Sequence, residues 1–239
     1  MLKFLEFILE KELTLDELGK IRNDEIRGNV LVKKLKDGDP LTLTTGTETT
    51  ITKMKDDSEW VDPKTGVIYA IALKPDFDLN NTKAEKNVAV FSNPLVENVY
   101  EMGSIIKPLT VATGIDTGKI TADTTYYDKG YVVVNNKKIS NFDGKERGVV
   151  NIQTALSESL NVGMAFIVGK VGNDVFSDYM YKFGLDTKTG VDLPNEAKNL
   201  VTNLKSPRDI EHVTASFGQG IALTPVSTVR ALSTIANGG

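Results

Sequence analysis

The sequence contains no cysteine and a single histidine, His212. The absence of cysteine excludes disulfide bonds, thiolate catalysis and cysteine-ligated metals. One histidine excludes a histidine-rich metal site, and a serine–histidine–aspartate triad would have to use His212. That residue lies in a helical-looking stretch and is interpreted as structural or surface-exposed. We therefore predict a site with no metal ion and no other cofactor.

Long apolar runs and an excess of positive charge are also missing. No stretch of about 18 apolar residues occurs, and the first ten residues lack the pattern of a secretory signal, so we predict neither a membrane anchor nor a signal peptide in this chain. The net charge of −4, from 28 basic and 32 acidic residues, argues against a nucleic-acid partner. With 40% hydrophobic and 25% charged residues, the composition is that of a globular protein.

The chain is predicted to divide at residue 57/58. Residues 1–57 form an N-terminal segment of uncertain structure without a motif, with two short helices predicted in residues 3–25 and a strand in residues 41–45. After a Pro–Gly turn, an apolar run predicts a strand at residues 67–73. Further elements are a helix at 104–114, a strand at 131–134 before an Asn-Asn turn, and helices at about 151–171, 174–183, 207–217 and 224–236.

The first candidate for chemistry is the pair Ser104 and Lys107, which forms an S-x-x-K motif. Residues three apart on a helix share one face, so the amine can reach the hydroxyl. A lysine whose pKa is lowered by burial or by a neighbouring cation can act as the base that activates a serine. By itself the motif is common by chance, and it is compatible with an ordinary surface serine and lysine.

The second candidate is the S-x-N motif at Ser159 and Asn161. Ser159 can relay a proton between a lysine and a leaving amine, and Asn161 can hydrogen-bond both Lys107 and a substrate amide. Serine and asparagine are also frequent at helix caps, so this motif alone is weaker still.

Together, in this order, the two motifs resemble those of serine β-lactamases and penicillin-binding proteins. The surrounding sequence strengthens the likeness over about residues 60–239, and it most resembles the transpeptidase domain of class B penicillin-binding proteins, the cell-division and elongation type. The segments that carry the likeness are residues 62–66, 183–185, 189–194, 216–220, 223–225 and 236–239.

The resemblance implies roles for four residues. Ser104 would be the nucleophile that attacks the D-Ala-D-Ala carbonyl of a peptidoglycan stem peptide, and its backbone N–H would be an oxyanion donor. Lys107 would be the general base, and Ser159 and Asn161 would form the second motif. The acyl-enzyme would pass to the amine of a neighbouring stem and make a cross-link, and β-lactams would acylate Ser104.

The resemblance also implies an α/β fold, with an antiparallel sheet and a helical subdomain at about 116–236 inside a partial transpeptidase domain at 58–239. The family's third motif, Lys-Thr/Ser-Gly, lies on a strand beyond the part that this sequence matches. We therefore expect a C-terminally truncated domain with an incomplete sheet that lacks one oxyanion donor, a loss that raises a barrier by about 3–4 kcal/mol. The K-T-G strings that begin at Lys64 and Lys188 lie in turn-rich segments and are interpreted as chance occurrences.

Three interpretations stay open from the sequence. The chain is an enzyme domain, or a truncated non-catalytic module that binds β-lactams or peptides, or a structural α/β domain with a surface serine and lysine. A β-lactamase would need a carboxylate base for deacylation, and Glu101 and Glu158 are interpreted as surface or helix-end charges. For the parent protein, the resemblance implies divisome or elongasome partners and a place on the extracytoplasmic face of the cytoplasmic membrane, in the cell envelope.

Overall fold

The computed structural model describes residues 58–73, 77–78 and 80–238, together with two short strands. These strands, β1 (Leu41–Thr42) and β2 (Thr50–Ile51), pair antiparallel. The helices predicted in residues 3–25 lie outside the described residues, and the predicted division at residue 57/58 stays a prediction. The chain divides into two compact units, one within residues 8–93 and one that contains residues 94–239.

In the first unit, β3 (Ser58–Val61) and β4 (Ile68–Ala72) form an antiparallel hairpin, which confirms the strand predicted at 67–73. The Asp62 carboxylate closes the turn, because it accepts hydrogen bonds from Lys64 N at 2.8 Å and Thr65 Oγ1 at 2.9 Å. The first K-T-G string is therefore part of a hairpin turn. Two short 3-10 helices follow, Thr82–Ala84 and Val88–Phe91.

The second unit is built mainly from helices. They are α1 (Pro94–Glu97), α2 (Lys107–Asp116), α3 (Ile152–Ser157), α4 (Asn161–Val171), α5 (Asn173–Lys182), α6 (Asp209–Ala215) and α7 (Pro225–Ala236), with 3-10 turns at Gly103–Ile106 and Thr202–Lys205. Four strands lie between α2 and α3: β5 (Thr125–Asp128), β6 (Tyr131–Val134), β7 (Lys137–Ser140) and β8 (Gly148–Asn151).

These strands form two antiparallel ribbons, β5 with β8 and β6 with β7. The β6–β7 turn is Asn135-Asn136, with φ of 44° and 62°, the left-handed backbone that tight hairpins require. The strand and turn predicted here are confirmed. The region predicted as a helical subdomain thus also contains four strands.

The core of this unit forms where α2 packs against α4 and α7. Leu109, Val111 and Ile167 are buried at this contact. The helices approach closely at Gly114, where an added Cβ would lie 2.6 Å from Ile120 and 2.9 Å from Ile167. A larger side chain at position 114 would therefore clash with the core, and the close packing around Gly114 holds α2 in place.

The single helix predicted at residues 151–171 is wrong, because the structure has two helices there. Residues 151–171 do not form a single helix, since α3 ends at Ser157 and α4 begins at Asn161. The break occurs because Ser159 has a φ of 56°, which no right-handed helix allows. Among the described residues, no helix is both long enough and apolar enough to cross a membrane.

Candidate active site

Ser104 lies in a single 3-10 turn that leads directly into α2. The chain enters this turn through Gly103, whose φ of 56° is left-handed backbone that glycine adopts without strain. Ser104 is exposed, whereas Lys107, three residues later, is only 1% exposed. The predicted pair thus presents a hydroxyl to solvent and an amine to the interior, which excludes the interpretation of Lys107 as a surface residue.

A path of short contacts joins the lysine to the serine through Ser159. Lys107 Nζ donates to Ser159 Oγ at 2.9 Å and also to the Ser159 carbonyl oxygen. Ser159 Oγ in turn donates to Ser104 Oγ at 3.0 Å. Among the bonds of the described residues, none joins Lys107 directly to Ser104. Ser159 is therefore the group through which a proton can move between the two.

Burial changes the acid–base behaviour of the lysine. Because desolvation disfavours the charged ammonium, the pKa of Lys107 falls to about 8 from its ordinary value of 10.5. A neutral amine accepts a hydrogen bond where the ammonium donates one, and the two hydroxyls can rotate to match. Loss of the lysine proton would therefore let Ser104 donate to Ser159 and Ser159 donate to Lys107.

The backbone of Ser159 has a positive φ of 56°, and its hydroxyl contacts Lys107. It follows the end of α3, where Ser159 N donates to Leu156 O at 3.1 Å and Leu160 N donates to Ala155 O at 2.8 Å. This is the position that glycine usually fills after a helix, because its φ is positive. A serine here carries strain, and such strain persists where surrounding contacts over-determine it. Here both the Ser159 hydroxyl and its carbonyl meet the Lys107 amine.

Asn161 is the first residue of α4, and its side chain turns to the neighbouring hairpin. Asn161 Nδ2 donates to Ser140 O, at the end of β7, at 3.0 Å. The hydrogen bond to Lys107 that the sequence suggested is not among those of the described residues. The structure thus brings Ser104, Lys107 and Ser159 into direct contact, and it attaches Asn161 to β7.

The loop at residues 216–220, one of the segments that resemble the family, contacts the serine turn. Gly103 N donates to Gly218 O at 3.1 Å. Gly218 approaches so closely that an added Cβ would lie 2.2 Å from Gly103 O. Two glycines around Gln219 were the available signal for this contact, but the pattern does not say which segment the loop meets.

Two further contacts tie this loop to the segments on either side of the serine. Thr110 Oγ1, inside α2, donates to the carbonyl oxygen of Ser216 at 2.7 Å. The Glu101 carboxylate, before the turn, accepts from Gly220 N at 2.8 Å. Glu101 is therefore a structural acceptor in this site. Phe217, in the same loop, is buried.

The second K-T-G string lies in a loop that Glu196 and Arg230 hold in place. Thr189 N and Gly190 N donate to the Glu196 carboxylate at 2.5 Å and 3.1 Å. Arg230, on α7, donates to the carbonyl oxygen of Lys188 at 2.8 Å. The string forms no strand, and among the described residues no hydrogen bond joins it to the serine–lysine pair.

His212 lies in α6, away from the surface. The His212 ring is buried, with Nδ1 at 3.1 Å from the carbonyl oxygen of Arg208 one turn earlier on the chain. Of the two interpretations that the sequence left open, structural or surface-exposed, the burial of the ring supports the first. No group of three or more histidine, aspartate or glutamate side chains is arranged to hold a metal ion within the described ranges.

Comparison with known proteins gives a consistent result. The family model for the penicillin binding protein transpeptidase domain matches residues 60–239. Stage V sporulation protein D of Bacillus subtilis is 29% identical over 180 residues, which are 75% of this chain and 28% of that protein. The peptidoglycan D,D-transpeptidase FtsI homolog of Chlorokybus atmophyticus is 28% identical over 250 residues, 99% of this chain and 34% of that protein.

A solved structure shares the fold as well. It is a peptidoglycan glycosyltransferase from Burkholderia ambifaria, matched with a TM-score of 0.65 and 26% identity over 75% of this chain and 52% of that one. The chain spans about a third or less of the length of the curated relatives named above. The match to the family model extends over the serine turn, the buried lysine and Ser159, and the chain belongs to the penicillin-binding protein transpeptidase domain family.

Proposed function

We propose that this protein is a serine-type D,D-transpeptidase that cross-links peptidoglycan stem peptides through an acyl-enzyme on Ser104. The observation that carries the proposal is the contact path from the buried Lys107 amine through the Ser159 hydroxyl to the exposed Ser104 hydroxyl. A relative named as a peptidoglycan D,D-transpeptidase supports it. The Burkholderia protein is named for glycosyl transfer, but a hydroxyl linked to a neutralisable amine suits acyl transfer better.

The first step forms the acyl-enzyme. Ser104 Oγ attacks the carbonyl carbon of the penultimate D-alanine, while its proton passes to Ser159 and the Ser159 proton passes to neutral Lys107. The bond between the two D-alanines then breaks. The terminal D-alanine leaves as its amine takes a proton back along the same path, and an ester remains on Ser104.

The second step transfers the acyl group. The amine of a neighbouring stem attacks the ester carbonyl, loses a proton to the Ser159–Lys107 path and becomes the amide of the cross-link. Ser104 recovers its proton and is free again. A β-lactam would react by the same attack, in which its ring opens and the acyl group stays on Ser104.

Two further groups support substrate binding in this proposal. The backbone N–H of Ser104 lies at the start of the turn that enters α2, and it would donate to the oxyanion of the tetrahedral intermediate. Asn161, at the start of α4, would hydrogen-bond the substrate amide with the capacity that its bond to Ser140 leaves free.

The setting that follows from this chemistry is the cell envelope, at the extracytoplasmic face of the cytoplasmic membrane, where stem peptides are cross-linked. A role in cell division or in cell elongation, with divisome or elongasome proteins as partners, belongs to the same proposal. The alternative is a module that is acylated at Ser104 but does not turn over.

The test uses a synthetic stem peptide that ends in D-Ala-D-Ala, with and without an amine acceptor. A transpeptidase releases D-alanine and forms the peptide–acceptor amide, and Ser104→Ala releases none. Acylation of Ser104 without any released product beyond one equivalent would favour the binding module. No acylation of the folded protein by either peptide or penicillin would overturn the proposal.

A further inference from the structure

A fully buried carboxylate lies behind the second motif. Asp128, at the end of β5, is 0% exposed, and its carboxylate accepts hydrogen bonds from three neighbouring residues. Gly130 N donates to Oδ1 at 2.6 Å and Tyr126 OH donates to Oδ2 at 3.2 Å. Asn141 Nδ2 donates to both carboxylate oxygens, at 3.0 Å and 2.9 Å. Because these partners donate to both carboxylate oxygens, the hydrogen bonds offset the cost of burying the Asp128 side chain.

Asn141 carries the influence of this carboxylate to helix α4. Its side chain is 3% exposed, and its Oδ1 accepts from Val162 N at 3.1 Å. That amide belongs to the first turn of α4, where backbone N–H groups have no partner within the helix. The carboxylate oxygens of Asp128 accept hydrogen bonds from Asn141 Nδ2, so the NH2 group of Asn141 faces Asp128. The Oδ1 atom of Asn141 then faces Val162 N.

The backbone of Asp128 is also linked to Glu158, the residue before Ser159, through Arg147. Arg147 N donates to the carbonyl oxygen of Asp128 at 3.0 Å. The Arg147 side chain pairs with Glu158, the residue before Ser159, with Nε and Oε2 2.6 Å apart. Contacts that start at Asp128 therefore reach the residue before Ser159 and the residue after Asn161.

We propose that Asp128 is a positioning residue for acyl transfer, acting through the orientation of the Asn141 amide on the Ser159–Asn161 segment; this proposal rests on the proposed function. The strained backbone of Ser159 needs fixed neighbours to keep its hydroxyl between Lys107 and Ser104. In Asp128→Asn, the NH2 group of the new asparagine can face the NH2 group of Asn141, and neither can accept. The Asn141 amide can then rotate, which places its Nδ2 in place of Oδ1 next to Val162 N and removes that hydrogen bond.

The experiment compares Asp128→Asn with the double variant Asp128→Asn/Asn141→Asp in the purified protein. The double variant moves the carboxylate to position 141, where it accepts from Val162 N and from the new amide at 128, so the order of donors and acceptors is restored. The control is Asp123→Asn, an exposed aspartate just before β5 that loses the same charge. The readouts are the acylation rate constant with a fluorescent penicillin and the hydrogen-exchange protection of the Val162 amide.

We expect Asp128→Asn to lower the acylation rate about 10- to 100-fold, the scale of a small misplacement of catalytic groups, and to reduce protection of Val162. The double variant should recover most of both, and Asp123→Asn should change neither. Tyr126→Phe removes one donor to Asp128 without altering the amide order, so it should give a smaller loss and tests the proposal if the double variant does not fold.

A folded Asp128→Asn variant with wild-type acylation and Val162 protection would overturn the proposal. A loss that a folded double variant does not recover would also overturn it, since it would mean that the carboxylate acts in some other way than by orienting the Asn141 amide. If the wild-type protein takes up no penicillin, the proposed function fails, and Val162 exchange still decides whether Asp128 orients the amide.

Discussion

At the residue scale, the site depends on where the Lys107 side chain ends. Its amine is buried between the hydroxyl and the carbonyl of Ser159, and this burial lowers its pKa to about 8. The sequence predicted the lysine as a base because three-residue spacing places it on the face of Ser104. It could not predict that Ser159 lies between them, because that contact joins segments 52 residues apart.

The lowered pKa predicts how acylation depends on pH. Only neutral Lys107 can accept a proton, and its neutral fraction grows as the pH rises through about 8. The acylation rate of Ser104 by a penicillin should therefore be low well below this pH, rise through it and then level off. Lys107→Arg, which stays charged throughout, should be inactive at every pH.

Stopped-flow or gel-based labelling over a pH series measures this profile, with the intrinsic hydrolysis of the penicillin subtracted. A rate that stays flat through pH 8, or one that rises only near the ordinary lysine pKa of 10.5, would contradict the account of Lys107 as the desolvated base.

The positive φ of Ser159 predicts a separation of stability from activity. Ser159→Gly and Ser159→Ala both remove the hydroxyl that joins Lys107 to Ser104, so both should lose acylation by about 100-fold or more. Glycine adopts a φ of 56° freely, whereas alanine keeps the left-handed cost of about 1–2 kcal/mol. In chemical denaturation Ser159→Gly should therefore be the more stable of the two. Equal stability of the two variants would mean that the strain at Ser159 is no larger than the roughly 0.5–1 kcal/mol that the entropy of glycine costs.

At the scale of elements, the site forms at the start of α2 and at the break between α3 and α4. The sequence predicted α2, α5, α6 and α7 to within a few residues of their ends. The start of α7 carries the clearest signal, because the Thr224 side chain caps it by accepting from Ser227 N. It missed the break between α3 and α4, because serine rarely adopts the backbone that ends α3 here. It also missed β5, β7 and β8, whose short polar-rich runs carry little periodic signal.

The contact between the loop at residues 216–220 and the serine turn gives a prediction at this scale. In Gly218→Ala the new Cβ would lie 2.2 Å from Gly103 O, so either the loop or the turn must shift. We expect a loss of acylation of about 100-fold, because the Ser104 hydroxyl moves with the turn. Gly172→Ala is the matched control, since its φ is also positive but nothing lies within 4 Å of the new Cβ.

The control should lower the free energy of unfolding by about 1–3 kcal/mol, because φ of 88° and ψ of 152° form a backbone conformation that only glycine adopts easily, and it should leave acylation unchanged. If the two alanine variants lose stability equally and both keep the wild-type acylation rate, then the close approach of Gly218 to Gly103 does not position the nucleophile.

At the scale of the whole molecule, the match to the family model covers residues 60–239, which contain both motifs and the loop at 216–220. The sequence was sufficient to place the chain in that family, because the motifs occur in the expected order over residues 60–239. It was also sufficient to reject the second K-T-G string, which Glu196 and Arg230 hold in a loop. The buried polar contacts around Asp128 were beyond sequence reasoning, since isolated aspartates and asparagines are ordinary loop residues.

In the proposed reaction, Ser104 is the residue that becomes acylated. The most direct test is incubation with a fluorescent penicillin, followed by intact mass measurement and peptide mapping, in the wild-type protein, Ser104→Ala and Lys188→Ala. We predict one adduct on the peptide that contains Ser104, none in Ser104→Ala, and an unchanged adduct in Lys188→Ala because its K-T-G string lies in a separate loop. An adduct at another residue, or no adduct on a protein that circular dichroism shows to be folded, would contradict the account.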